Sequence, residues 1–339
     1  MLTVLSVGYP FAPVTADPVG GAEQVLAALD RALVEAGHHS LVIAPNGSEV
    51  TGELIPVRAV EGEIDGLTRA NTHAHVAAAI DGALRAERVD AIHFHGLDFP
   101  AYPAPPGTPA LATLHLPLDW YAPEALTGDV ALVPVSDDQA RRAPAGIALE
   151  PPIPNGVDLD LYRPSGSKDG FALILGRVAP EKGFADALDA ARLAGVPLRA
   201  AGQVYPYPAH RCYFEEEVAP RLDDDRLWLG PVVGPAKRAL LAEARCLLVP
   251  STAPETSSLV AMEALASGTA VIAYGAGALP DIVEDGVTGF LVDNVEGMAD
   301  AIGRADAIDP AACRRAAEAR FDLRRTTAAY LDLYARLAQ

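Results

Sequence analysis

Short apolar runs of three to six residues recur along this chain, and segments with helical character separate them. In the first half the runs fall at residues 2–7, 40–44, 91–94, 110–114 and 131–135, with helices predicted between them at 22–36 and 68–87. The second half repeats the scheme, with strands predicted at 171–175, 198–201, 227–229, 246–249, 270–273 and 290–292. A strand that is apolar almost without interruption has both faces covered, and strands joined through helices pair in parallel. The pattern predicts an α/β chain of two Rossmann-like, doubly wound domains, each with its own core. The 339 residues suit that division. Pro154-Asn155-Gly156 and the polar Ser165-Gly166-Ser167-Lys168 are turn and linker chemistry, so the join is expected there. This gives domains at 1–160 and 161–322, and the final amphipathic helix at 323–339 is expected to pack back on the first domain.

The charge balance narrows the partners. Residues 1–160 carry seven arginines, no lysine and 21 acidic residues, a net of −14 out of −19 for the whole chain. Such a surface repels phosphate backbones and anionic headgroups, which argues against nucleic acid and membrane partners. No run of 18 uncharged apolar residues occurs. Met1 leads directly into a predicted strand without a basic leader, so no signal peptide is expected. Three widely spaced cysteines, Cys212, Cys246 and Cys313, fit a reducing compartment better than a disulfide framework or zinc site. A cytoplasmic chain is the expectation.

Chemistry concentrates in the second half. In Gly176-Arg177-Val178-Ala179-Pro180-Glu181-Lys182-Gly183, two cations stand five residues apart between a strand and a helix start. A diphosphate requires fixed positive charge, which a forked guanidinium and a compact ammonium supply in complementary ways. Lysine is otherwise scarce, occurring only as Lys168, Lys182 and Lys237. Downstream, a strand ends near Pro250, a loop carries Glu255, and Ser257 or Ser258 is placed to cap a helix bearing Glu263. The amides of Ser258, Leu259 and Val260 at that helix start form a phosphate cradle. Glu255 and Glu263 would flank the ligand, since a carboxylate accepts hydroxyl donors on both oxygens.

These same residues carry a resemblance. The span from Glu255 to Glu263 is similar to the glutamate–seven residues–glutamate motif of the family 4 glycosyltransferases, retaining enzymes of the GT-B fold. The Arg177–Lys182 segment resembles their diphosphate site. Pro18-Val19-Gly20-Gly21-Ala22-Glu23 resembles their N-terminal glycine loop. Ser136-Asp137-Asp138, the stretch at 153–158, and the loops at 275–283 and 285–290 follow in the family's order. The resemblance implies two domains facing across a cleft, the first on the acceptor side and the second binding the nucleotide-sugar. It implies that Arg177 and Lys182 neutralise the donor diphosphate, that Glu263 binds the ribose, and that Glu255 contacts donor-sugar hydroxyls. His115 matches the family's donor-sugar histidine. Gly20 and Gly21 would let backbone close over the phosphates, because a side chain there would block approach. Two departures stand out: Ser257 and Ser258 replace the family's frequent aromatic and glycine, and the loop at 202–210 is longer and more aromatic than usual. That loop selects the base or simply packs.

The implied activity is metal-independent, retaining hexosyl transfer from a nucleotide-diphosphate sugar, a UDP-sugar by default, to a small soluble acceptor, with no cofactor. No carboxylate of the first domain presents itself as the nucleophile of a double displacement. Front-face attack, with the leaving diphosphate accepting the acceptor's proton, is therefore expected. A sugar-nucleotide epimerase on the same fold is the alternative; it would need an acid/base pair and no second substrate. A non-catalytic nucleotide-sugar binder is a third reading. His93 and His95 alternate at a strand end without a third ligand in register, and read as a wall of the acceptor side rather than a metal site. Asp223-Asp224-Asp225 reads as a solvated loop.

Overall fold

The computed structural model describes residues 1–15, 18, 20–62 and 64–339. Val19 of the N-terminal glycine segment therefore lies outside the described residues. The chain forms two compact units, Met1–Asn155 with Arg325–Gln339, and Gly156–Arg324.

The first unit runs β1 (Thr3–Val7), α1 (Gly21–Glu35), β2 (His39–Pro45), β3 (Glu53–Val57), α2 (Gly66–Ala86), β4 (Ala91–Phe94), β5 (Ala110–Leu114), β6 (Ala131–Pro134) and α3 (Asp137–Arg141). All strand pairs are parallel, in the order β3-β2-β1-β4-β5-β6. β4 and β5 are buried along their whole length, as uninterrupted apolar runs require. β3 was not expected. It is an edge strand, half exposed, with Pro56 inside it, so it lacks the continuous apolar run that marks its neighbours. Helix α1 turns Val25, Leu26, Leu29 and Leu33 inward at helical spacing. Helix α2 opens on the Asp65 carboxylate, which accepts the Thr68 N–H at 2.7 Å.

The second unit runs β7 (Ala172–Arg177), α4 (Phe184–Ala194), β8 (Leu198–Gln203), α5 (Pro208–Tyr213), β9 (Arg226–Gly230), α6 (Gly234–Glu243), β10 (Cys246–Val249), α7 (Leu259–Ala266), β11 (Ala270–Tyr274), α8 (Leu279–Ile282), β12 (Gly289–Val292), α9 (Val295–Arg304) and α10 (Pro310–Arg320). Its sheet is ordered β12-β11-β10-β7-β8-β9, the same topology as the first. Alanines make close helix–sheet approach possible: Ala187, Ala190 and Ala191 of α4 are fully buried. α7 is buried from Ala261 through Ala266, which makes its Glu263 an interior carboxylate.

The last helix, α11 (Leu323–Leu337), gives its residues from Arg325 onward to the first unit. Tyr330 and Tyr334 are fully buried there, and their hydroxyls bond to Thr113 Oγ1 and His93 Nδ1, each at 2.7 Å. Each ring covers on the order of 150–250 Å² while its polar tip finds a partner.

Candidate functional site

In the second sheet β7 and β10 are neighbours whose onward connections run to opposite sides. In open parallel sheets the crevice beyond the carboxyl ends at such a reversal is where ligands bind. β7 ends on Arg177, and Pro180–Lys182 then form one tight 3-10 turn. Gly183 follows with φ of +67°, in the left-handed region. A Cβ there would also run into the Pro250 carbonyl, so both conformation and packing call for glycine. The Thr252 N–H donates to the Glu181 carbonyl at 2.9 Å, tying the loop after β10 to the loop after β7.

That tie brings the predicted residues together. Lys182 Nζ donates to Glu255 Oε1 at 2.6 Å, and the Ser251 hydroxyl donates to the same oxygen. Arg177 Nη2 donates to Glu181 Oε1 at 2.7 Å. Both cations thus hold a carboxylate, which the sequence did not predict. An ammonium has three donors and a guanidinium five, so neither is exhausted by one bond. Their side chains remain about one-third exposed, at 30% and 32%, and a ligand can reach them. The Ala278 N–H donates to the Glu255 carbonyl at 2.7 Å, which anchors the loop from the β11 side.

Ser258 occupies the N-cap position of α7, but the expected serine cap is not made. The Ser258 side chain does not cap this helix, and the buried Ser257 hydroxyl has no hydrogen-bond partner among the described residues. First-turn amides, those of Leu259 and Val260 among them, have no intrahelical acceptor, and the positive end of the helix dipole lies with them. One turn further on, Glu263 is 2% exposed. Its Oε1 accepts the Tyr162 hydroxyl at 2.7 Å and Lys237 Nζ at 2.6 Å. Its Oε2 is buried, with no partner among the described residues. A bare carboxylate oxygen in a low-dielectric interior is costly, and a hydroxyl donor from a ligand would satisfy it. Lys237 and Tyr162 escaped sequence reasoning because they lie 26 and 101 residues from Glu263. The scarcity of lysine was the available signal.

The loop after β8 packs Tyr207 edge-on to His210, with ring centres 5.2 Å apart. Burial, and then the charge of Arg177, lower the His210 pKa, so this aromatic loop neighbours the cation at the end of β7.

The other predicted residues lie in the first unit. Gly20 is the N-cap of α1 and Gly21 its first residue. A Cβ on Gly20 would overlap the Glu23 carboxyl, which folds back over the helix start. Burial raises the Glu23 pKa. His115 follows β5, and its Nε2 pairs with His95 Nδ1 at 3.1 Å. His93 lies tilted against His95, with ring centres 3.9 Å apart, and pairs through Nε2 with Thr113 Oγ1 at 2.7 Å. Burial holds the pKa of His93 and His95 well below the usual imidazole value and pushes His115 down to about 3. All three rings are therefore neutral near pH 7. Asp223 of the acidic run pairs with Arg226 at the surface. Among the described residues, no three histidine, cysteine or acidic side chains assemble as a metal-ligand group. No helix among them is long and apolar enough to cross a membrane.

Two family models match the chain: Glycosyltransferase Family 4 over residues 19–161, and Glycosyl transferases group 1 over residues 170–305. A D-inositol 3-phosphate glycosyltransferase of Mycolicibacterium paratuberculosis is 35% identical over 238 residues, 60% of this chain and 52% of that protein. The chain thus spans about half the length of the curated relatives it matches. AviGT4, a glycosyltransferase involved in avilamycin A biosynthesis, is 26% identical, with a TM-score of 0.75 over 100% of this chain and 98% of that one. Anabaena HepE, solved in complex with UDP-glucose, shares the fold at 20% identity, with a TM-score of 0.72 over 99% of this chain and 100% of that one.

Proposed function

Because the chain belongs to the family 4 glycosyltransferases, we propose that it transfers a hexose from a nucleotide-diphosphate sugar to a small soluble acceptor, with retention and without a metal. The observation that carries this reading is the convergence at the β7/β10 reversal of two reachable cations, an uncapped helix start and a buried carboxylate with one unpartnered oxygen. Diphosphate, phosphate and ribose hydroxyl are the groups that such a set satisfies in turn. Arg177, Lys182 and the α7 amides take up the charge that grows on the leaving diphosphate. That diphosphate accepts the proton of the attacking hydroxyl on the same face. Glu255, held by Lys182 and Ser251, turns to the donor-sugar hydroxyls. The same reading gives His115 a donor-sugar hydroxyl and Gly20 and Gly21 the phosphates. A uridine donor is supported by the UDP-glucose bound to Anabaena HepE. Three free thiols suit a cytoplasmic setting. The relatives named above are glycosyltransferases, which favours transfer over epimerisation.

The test is a thermal-shift comparison of UDP, UMP and uridine, followed by transfer assays with UDP-hexoses. UDP at a hundred times its Kd should add roughly 2.7 kcal/mol of apparent stability, and uridine far less. No stabilisation by any nucleoside diphosphate would sink the proposal.

Lys237 serves this site at one remove. It holds Glu263 through Oε1 and leaves the Oε2 lone pairs for the ribose. Lys237→Met should therefore reduce the preference for UDP over its 2′,3′-dideoxy analogue by about tenfold, the worth of one charge-assisted hydrogen bond. Lys237→Arg should restore part of it. Isothermal titration with both nucleotides is the check, and an unchanged preference in Lys237→Met removes Lys237 from this role.

A further inference from the structure

The first sheet has the same strand order as the second, with its reversal between β1 and β4. Loops leaving β1 and β4 there, together with α2, bring six side chains into one cluster. Asp98, just beyond β4, accepts His73 Nε2 of α2 on Oδ2 at 2.7 Å and the Tyr102 hydroxyl on Oδ1 at 2.7 Å. Arg69, one turn before His73, stands 3.9 Å from the same carboxylate with its guanidinium 5.3 Å above the Phe11 ring. Phe11 meets the His73 ring edge-on at 6.3 Å and Tyr9 at 5.4 Å, so the loop after β1 walls the cluster with aromatic faces. This is not a sealed core: the side chains of Asp98, His73 and Arg69 are 10%, 14% and 38% exposed.

We infer that this cluster is the acceptor-binding site, and that it takes a neutral polyhydroxylated ring such as a sugar or cyclitol. The inference rests on the transferase reading and adds to it where the acceptor sits and what chemistry it has. An ionised carboxylate offers about four lone-pair directions; His73 and Tyr102 occupy two, and a pair of ligand hydroxyls fits the remainder. With Nε2 turned to Asp98, the other ring nitrogen of His73, Nδ1, is left to meet a third hydroxyl. Phe11 and Tyr9 supply flat apolar faces suited to the C–H side of a ring. Arg69 is the cluster's one strong cation and is already turned toward Asp98, in a half of the chain whose net charge is −14. A phosphorylated ring would meet that carboxylate, which selects against it. The neighbouring strand β5 leads to His115, assigned above to the donor sugar, so the two substrates are bound at adjacent strand ends of one sheet.

The experiment uses the full chain with ring-labelled histidine. The His73 NMR signal is identified by its loss in His73→Gln and followed in the presence of UDP. Probes are myo-inositol and methyl α-glucoside as neutral rings, and inositol 1-phosphate and glucose 6-phosphate as charged ones. At least one neutral ring should shift the signal, and Asp98→Asn should weaken that binding about tenfold or more. Phe11→Ala, which alters only the wall, should weaken it as well. UDP thermal shifts should stay unchanged in both variants, which separates this assignment from the donor reading. Absence of any shift with the neutral rings, tighter binding of the phosphorylated ones, or unaltered affinity in both variants overturns it.

Discussion

Replacing Lys182 with alanine is expected to lower kcat/KM for transfer by about 10² to 10³, the usual cost of removing one charge-stabilising donor from a developing anion. Its Nζ lies 2.6 Å from Glu255 and is within reach of solvent and ligand. The fold should survive, because the pair is partly exposed and such pairs contribute little to stability. Glu255 also keeps its bond from Ser251. Two separate roles are tangled in this lysine, diphosphate ligand and holder of Glu255, and nucleotide binding distinguishes them. Loss of a diphosphate ligand weakens UDP while leaving uridine alone; loss of a holder for the sugar-side carboxylate leaves both nucleotides unaffected. Lys182→Arg should recover only part of the rate, since a planar fork does not reproduce a compact ammonium. Near-normal turnover in Lys182→Ala would remove the proposed donor chemistry altogether.

The second large effect is on stability in mild acid. His93 and His95 are buried, the partly buried His115 sits beside them, and the pKa of each ring in the folded state is lowered, with His115 at about 3. Below an unfolded-state pKa near 6.5, the unfolded chain takes up protons that the folded chain refuses. The sign follows: stability present above about pH 6.5 is lost as pH falls toward the folded values. Each ring contributes a slope of at most about 1.4 kcal/mol per pH unit, and three together about 4. Since single domains are typically stable by only 5–15 kcal/mol, the first unit should unfold before carboxylate protonation is complete. Denaturant midpoints measured at intervals from pH 8 to pH 5 should stay flat above about 7 and then drop steeply. His95→Gln, at the centre of the stack, should flatten the slope by about one-third. A midpoint independent of pH between 7 and 5 would show that the rings are not held neutral as the packing requires.

Where the chain's own spacing carried the information, the site was legible. Arg177 and Lys182 stand at the end of β7 and in the turn after it, and Glu255 and Glu263 before and within α7, so these placements follow from local pattern, whereas the Lys182–Glu255 pair, 73 residues apart, does not. Glu263's partners were not legible, because nothing in the surroundings of Lys237 or Tyr162 marks either for an interior carboxylate. The serine cap of α7 was a reasonable local expectation that the folded loop does not honour. There, among the described residues, the Ser257 hydroxyl ends up buried without a partner and Ser258 makes no side-chain cap.

By itself the amino-acid sequence determined the alternation of covered strands and helices, hence two doubly wound sheets, and it placed two cations and two carboxylates at strand and helix ends. Hydrophobic periodicity and turn chemistry act over a few residues, which is why those features can be read in one dimension. The tertiary structure decided which polar groups are paired and which are left open: Lys237 and Tyr162 on one oxygen of Glu263, Tyr334 on His93 from 241 residues away, and His73 on Asp98. Such pairings depend on the order in which strands enter the sheet, and the low dielectric of the resulting interior makes each satisfied or orphaned atom count.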